Sequence, residues 1–232
     1  MAYIIKNNKT ISSTDITSTG VFTSKVNRDS LVCYLDAADL NSYSGSGTTW
    51  YDLSGNGYNA TLVNGVTFNS SVAGGVLVTN GTNQYITVPS GNLSSTNYTV
   101  IGAAKYVTAS GRIFSAESNN WLLGWWSNTT ENYYAEGWVS SVSSGASDTS
   151  WRIMAGTGHI SEDQYIVYVN GRAIFSNQNG SQGPYNFSLG RYAPGNSEYS
   201  NSYISYLLVY NRVLNPYEIS EVYQATRGRF GI

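Results

Sequence analysis

A chain of 232 residues with one cysteine, Cys33, and one histidine, His159, has little material for several kinds of chemistry. A lone cysteine excludes an internal disulfide, and with a lone histidine it cannot build a cysteine–histidine zinc cage. Charge is scarce too, at 11% of residues, with Lys+Arg 12, Asp+Glu 14 and a net charge of −2. The charges are scattered, whereas binding to nucleic acid or an anionic membrane needs clustered Lys and Arg. No apolar stretch approaches the roughly 20 residues of a bilayer span. The opening MAYIIKNNKT breaks its short apolar run with a lysine and has no cleavage-site pattern, so it lacks the form of a secretory signal. The expectation is a soluble product, taken out of a cell, if at all, by something other than a standard signal. Phosphate-loop, dinucleotide and zinc-protease motifs are missing as well.

What is abundant points to β-structure. Twenty Tyr, six Trp and 24 Gly, with many Ser, Thr and Asn, describe strands punctuated by turns. Strand signals recur from LVCYLDA (31–37) through QYITVP, YTVIGAAKYV, RIFSA, WLLGWW, NYYAEGWVS, WRIMAGT, YNFSLGRY and SYISYLLVYNR. The last is mostly apolar, as a buried central strand should be. In YIVYVNGRAIF two β-rich runs meet at Asn170-Gly171, which suits a type I′ hairpin turn. One helix is expected near the end, where Asn215 caps, Pro216 opens, Glu218 completes a capping box and Gly228 stops it, with Ile219, Val222 and Tyr223 on one face. So many strands with one late helix imply an all-β, two-sheet antiparallel sandwich, because a single open sheet could not bury these aromatics. Cys33 reads as a small buried hydrophobe. Residues 1–28 are polar and too poor in apolar residues to close a core, so they read as an N-terminal arm ahead of a domain at 29–232. The N-x-S/T triplets at Asn69, Asn97 and Asn128 read as turn chemistry.

The stretch TTWYDLSGNGYNATLVNG (48–65) is glycine-rich and aromatic, with Asp52 its single charge. Asp52 is suited to accept backbone N–H groups, Gly55 and Gly57 to take φ > 0, and Trp50 and Tyr51 to anchor the loop in the core. It reads as a corner of the sandwich. Together with NGTNQYITVP, YIVYVNGRAIF and ISYLLVYNRVLNPYEISEVYQATRGRF, in that order, it resembles the concanavalin A-like, laminin G-like jelly-roll family from about Leu31 to Phe230. The YLDAAD…WYDLSGNG opening and the RGRF ending are most similar to versions found in virion structural proteins of tailed bacteriophages. Residues 104–160 match least well.

The resemblance implies a noncatalytic structural protein on the virion surface, in capsid decoration or a neck or tail fibre, with the possibility of binding host-surface glycans. The arm would dock other virion proteins, with Tyr3, Ile4, Ile5, Val21 and Phe22 as its apolar contacts. A free carbohydrate-binding lectin module is the alternative, and a glycoside hydrolase of similar fold a further one. Sugars stack on aromatic rings, and WLLGWWSNTTENYYAEGW offers Trp125, Trp126, Tyr133, Tyr134 and Trp138, which also suit a sandwich core. Adjacent Trp125 and Trp126 must face opposite sides of a regular strand. Retaining hydrolysis needs two carboxyl groups roughly 5–5.5 Å apart, and neither Glu131 with Glu136 nor Glu162 with Asp163 has the spacing that puts both on one strand face. His159 lies near Ser161 and Asp163 in sequence, but a triad is a matter of space. No cofactor is implied, although Asp36, Asp39 and Asp52 supply hard oxygens of the kind calcium takes, and turn capping explains the same residues.

Overall fold

The computed structural model describes residues 26–90, 97–108, 110–141 and 148–232, and the backbone alone at 5–6 and 9–10. Near the N-terminus β1 (Ile5–Lys6) pairs antiparallel with β2 (Lys9–Thr10). The expected docking residues Tyr3, Ile4, Val21 and Phe22 lie outside the described residues, as does the side chain of Ile5.

The sandwich begins with β3 (Leu31–Asp36), β4 (Thr49–Trp50), β5 (Ala60–Val63), β6 (Thr67–Asn69), β7 (Val76–Asn80) and β8 (Tyr85–Val88). It continues with β9 (Asn97–Thr108), β10 (Phe114–Ala116), β11 (Trp121–Trp126), β12 (Thr129–Ala135), β13 (Trp138–Ser140) and β14 (Arg152–His159). β15 (Gln164–Val169), β16 (Arg172–Asn177), β17 (Phe187–Leu189), β18 (Asn201–Tyr210) and the helix α1 (Pro216–Thr226) complete it. The front sheet runs β13-β12-β11-β10-β17-β8-β5-β4, and the back sheet runs β16-β15-β14-β9-β18-β7-β6. β18 pairs with β7 through Ile204 and with β3 from Tyr206 onward, so one long strand serves two shorter neighbours on the same edge.

Between the sheets lies a core that includes Trp50, Trp121, Trp125, Tyr98, Tyr133 and Phe114. The Trp121 ring meets Tyr98, Tyr133 and Phe187 edge-on at centroid distances of 6.4, 5.9 and 5.8 Å. The back sheet makes room for these rings with glycine: a Cβ at Gly102 would overlap the Phe114 ring, and one at Gly158 the Tyr98 ring. A second core covers the other face of the back sheet, where Tyr34, Tyr206 and Leu208 pack with Ile219, Val222 and Phe230. The centre of the back sheet is therefore buried on both faces, so every residue of β18 from Ile204 to Tyr210 is buried and its sequence runs apolar instead of alternating.

The turns explain several boundaries. Asn170 (φ 50°) and Gly171 (φ 76°) form the expected hairpin turn between β15 and β16. A second turn with both φ positive, Ser127 (50°) and Asn128 (69°), joins β11 to β12. NYYAEGWVS, expected as one strand, is two, because the chain reverses at Glu136 (φ 61°) and Gly137, whose missing side chain lets the carbonyl of Asn179 approach. Asn69 holds a turn by accepting from the Ser71 N–H at 2.9 Å, whereas Asn97 starts β9. At α1 the Asn215 side chain accepts from the N–H groups of Tyr217 and Glu218 at 2.9 and 3.0 Å, and Glu218 accepts from the Asn215 N–H at 2.9 Å. The helix ends by tightening into a 3₁₀ turn, Arg227–Arg229, and Gly228 does not take the left-handed conformation expected of a stop.

The 48–65 loop is the expected corner. Asp52 accepts from the N–H groups of Tyr34 (2.9 Å), Ser54 (2.9 Å) and Tyr58 (3.1 Å) and from the Ser54 hydroxyl (2.7 Å). Gly55 and Gly57 take φ of 97° and 77°. The Asn56 amide donates to the carbonyls of Leu31 and Val32, which sews the loop to the start of β3. Trp50 is buried as expected, but Tyr51 is 50% exposed: it follows the last paired residue of β4, and its side chain turns to solvent.

Candidate functional site

β11, β12 and β13 form the end of the front sheet, and their alternation divides the aromatics between two faces. Trp121, Leu123 and Trp125 of β11 and Tyr133 and Ala135 of β12 enter the core. Trp126 and Tyr134 are therefore left on the outer face, half-buried, and Trp138 stands opposite Tyr134 on the same face. Their rings touch. Trp138 lies 5.1 Å from Trp126 at 47° and 5.1 Å from Tyr134 at 71°, so the three form one outward cluster. Trp125 and Tyr133, expected among sugar-stacking residues, are core residues with 0% exposure. Trp125 packs edge-on against Phe114 at 5.6 Å, and the Tyr133 hydroxyl lies 2.6 Å from that of Tyr98, which also accepts from the Trp121 indole at 3.1 Å. Burial pushes the Tyr98 and Tyr133 phenols well above their ordinary range, so both stay neutral members of this network.

Beside Trp138 the edge of the front sheet comes against the edge of the back sheet. The Asn177 amide of β16 donates to the carbonyls of Trp138 (3.0 Å) and Val139 (2.8 Å), and the Asn179 amide donates to that of Trp138 (3.2 Å). A groove of about 470 Å³ remains, with Trp138, Ile174 and Phe175 as its apolar surface and Glu131, Asn177 and Asn179 among its polar lining. Ile174 and Phe175 are 44% and 52% exposed. Neither was expected from sequence as a site residue. The available signal was a strand, RAIF, with adjacent apolar residues facing opposite sides, which a half-buried strand would not carry.

Three of the four acidic candidates have side-chain partners. Glu131 lies 3.5 Å from the Arg152 guanidinium, which also binds Asp148. Glu136 accepts from the Gln182 amide at 2.7 Å. Five residues of strand separate Glu131 from Glu136, on the order of 15 Å, whereas glycosidic carboxyl pairs stand about 5–9.5 Å apart. Glu162 lies 3.1 Å from Nδ1 of His159, and the Asp163 N–H closes a 3₁₀ turn onto the Ile160 carbonyl.

The three candidate calcium ligands are likewise engaged. Asp52 caps the corner loop, and Asp39 accepts from the N–H and the amide of Asn41 at 2.9 and 3.1 Å. Asp36, wholly buried, pairs with both terminal nitrogens of Arg229 at 2.8 and 3.0 Å. Burial pushes its carboxyl above the ordinary value while the Arg229 charge pulls it back. Among the described residues no three His, Cys, Asp or Glu side chains converge as a metal site would require.

An all-antiparallel two-sheet sandwich with a ring cluster on one outer face has the architecture of the lectin-like jelly rolls. The model of the concanavalin A-like lectin/glucanase superfamily matches residues 80–220, more than half of the chain, and the chain belongs to that superfamily. No curated protein matches the sequence. Among solved structures the chain is similar to domain 4 of AbnA, a GH43 extracellular arabinanase from Geobacillus stearothermophilus, in complex with arabinotriose. The TM-score is 0.63 at 22% identity, covering 84% of this chain and 98% of that one. The binding domain of Paraclostridial Mosquitocidal Protein 1 is similar at a TM-score of 0.61 and 16% identity, over 84% of this chain and 52% of that one. Trypanosoma rangeli sialidase in complex with sialic acid gives 0.60 and 16%, over 86% of this chain and 33% of that one. At these identities the likeness is one of fold.

Proposed function

We propose that the chain is a noncatalytic contact domain that binds polysaccharide through Trp126, Tyr134 and Trp138, and that it serves as a structural protein displayed on a tailed-bacteriophage particle. One observation carries the binding half: on the outer face of the front sheet the Trp138 ring contacts both Trp126 and Tyr134, while Trp121, Trp125 and Tyr133 of the same strands point inward. Rings in contact with carbohydrate give modest affinity singly, and many copies on one particle would raise it through avidity. The likeness to an arabinanase domain solved with arabinotriose supports this reading. Catalysis is left out because Glu131 and Glu136 are far apart and separately engaged, and Glu162 sits against His159.

The virion half is supported by the sequence resemblance at YLDAAD, WYDLSGNG and RGRF. In this reading the N-terminal arm docks a capsid, neck or tail protein and the sandwich projects. Sandwich contacts already begin at Val26, which packs on the second core, and at Asn27, which donates to Glu218 at 3.0 Å. A chain lacking residues 1–25 is thus the appropriate probe. It should fold and fail to join particles, and undiminished incorporation would refute docking by the arm. Glycan-array binding by the full chain should be lost in Trp126→Ala. Array binding by a protein that never joins a particle would favour the free lectin module instead.

A further inference from the structure

The groove between β13 and β16 extends the ring cluster around the side of the sandwich, because Trp138 belongs to both. Its described lining brings Trp138 together with Phe175 and Ile174 of the opposite sheet and includes Ser141, Asn179 and Glu131, whereas the Asn177 amide is already engaged by the Trp138 and Val139 carbonyls and the Asn179 N–H. Uncharged hydroxylated chains need this combination: apolar ring faces to stack on, with amide and carboxylate groups for the hydroxyls. The electrostatics narrow the choice. Among the described residues Glu131 is the only charged member of the lining. The one guanidinium in contact with it, Arg152, is already bound to Glu131 and Asp148. Arg172 lies two residues before Ile174 on β16, outside the described lining. A uronate or sialate carboxylate entering here would meet Glu131 with no uncommitted cation in the lining to receive it.

We infer that this groove is a recognition site for a neutral polysaccharide, with Trp138 and Phe175 as its stacking walls and Glu131 as the residue that rejects anionic chains. The inference rests on the carbohydrate-binding reading above and adds the location and charge class of the ligand.

Native affinity electrophoresis of the full chain, in gels containing arabinan, mixed-linkage β-glucan, polygalacturonate or polysialic acid, tests it. At least one neutral polymer should retard the protein and neither anionic one should. Phe175→Ala, at a half-exposed edge-strand position, should weaken retardation roughly 5-fold, and Trp138→Ala at least as much. Glu131→Gln should allow retardation by polygalacturonate. Phe175-dependent retardation by an anionic polymer in the unmodified chain would overturn the charge class while leaving carbohydrate binding intact. Neutral binding lost in Trp126→Ala but unmoved in Phe175→Ala would overturn the groove and leave the outer cluster. Retardation by none of the four polymers would remove the reading on which the inference rests, and the inference with it.

Discussion

The buried pair of Asp36 and Arg229 joins the first strand of the sandwich to the last turn of the described chain, and its removal has a calculable signature. Their side chains are 0% and 1% exposed. Arg229 also donates to the Ser205 hydroxyl at 2.8 Å and the Ala73 carbonyl at 3.2 Å, so the guanidinium is held by β3, β18 and the 70–75 turn together. Breaking a buried pair from one side strands the other charge, which costs about 3–5 kcal/mol, whereas replacing both partners with uncharged residues costs far less. Asp36→Asn and Arg229→Met should each cost about 3–5 kcal/mol in urea unfolding, and the double variant should recover roughly half of their sum. The two single variants should differ with pH. In Arg229→Met the orphaned carboxyl has a folded pKa raised above its unfolded value near 3.9, because burial already pushes it up and the opposing charge is gone. Its contribution is then best below about pH 4 and is lost as pH rises through the folded value, at up to about 1.4 kcal/mol per pH unit. Asp36→Asn, with no titrating group there, should lack this slope. Additive costs below about 1 kcal/mol each, or equal pH profiles, would refute the account of a tightly coupled buried pair.

Other predictions follow from single features. Cys33 is 0% exposed, and burial, reinforced by the Asp52 charge, pushes its thiol well up. It should resist a thiol reagent in the folded protein and react fully in denaturant, and rapid native labelling would contradict its place in the core. Gly102→Ala should cost about 1–3 kcal/mol by driving a methyl into the Phe114 ring, measured by thermal unfolding. Glu218 accepts from Arg212 at 2.7 and 2.9 Å as well as closing the capping box, and the Arg212 guanidinium leads in holding its carboxyl below the usual range. Glu218→Gln should cost about 1 kcal/mol at neutral pH. Because the folded pKa is lowered, this stabilisation is present above the unfolded value near 4.3 and lost as pH falls through the folded one. The gap between Glu218→Gln and the unmodified chain should therefore close below about pH 4, and a gap that persisted there would point to packing instead.

Local chemistry was the legible part of the sequence. Asn170-Gly171, the Asn215 to Glu218 box and the Asp52 corner each carry their conformation in side chains a few residues apart, and each forms as expected. Partition of the aromatics was only half legible. Alternation predicted that Trp125 and Trp126 would part company, but which of them faced the core depends on the partner sheet. Trp125 packs between the sheets against Phe114 of the neighbouring front-sheet strand β10, and Trp126 is left outside. The short strands β4 to β7 did not stand out, since ATLV and TFN carry too few residues to show a period. The groove was invisible for a different reason. It exists because β13 and β16, 32 residues apart from the end of one to the start of the other, are both edges and end at the same side of the sandwich.

The second core also bears on how the domain could be mounted. Val26, at the first end of the described sandwich, and Ile232, at the other, both pack on the helix-covered face of the back sheet. Trp126, Tyr134 and Trp138 occupy the outer face of the front sheet, on the far side of the main core. A support gripping the chain ahead of Val26 would pull on the helix side and leave the aromatic side pointing away from it. Both ends of the described sandwich thus lie on the face opposite the exposed ring cluster, a polarity built into the order of its strands.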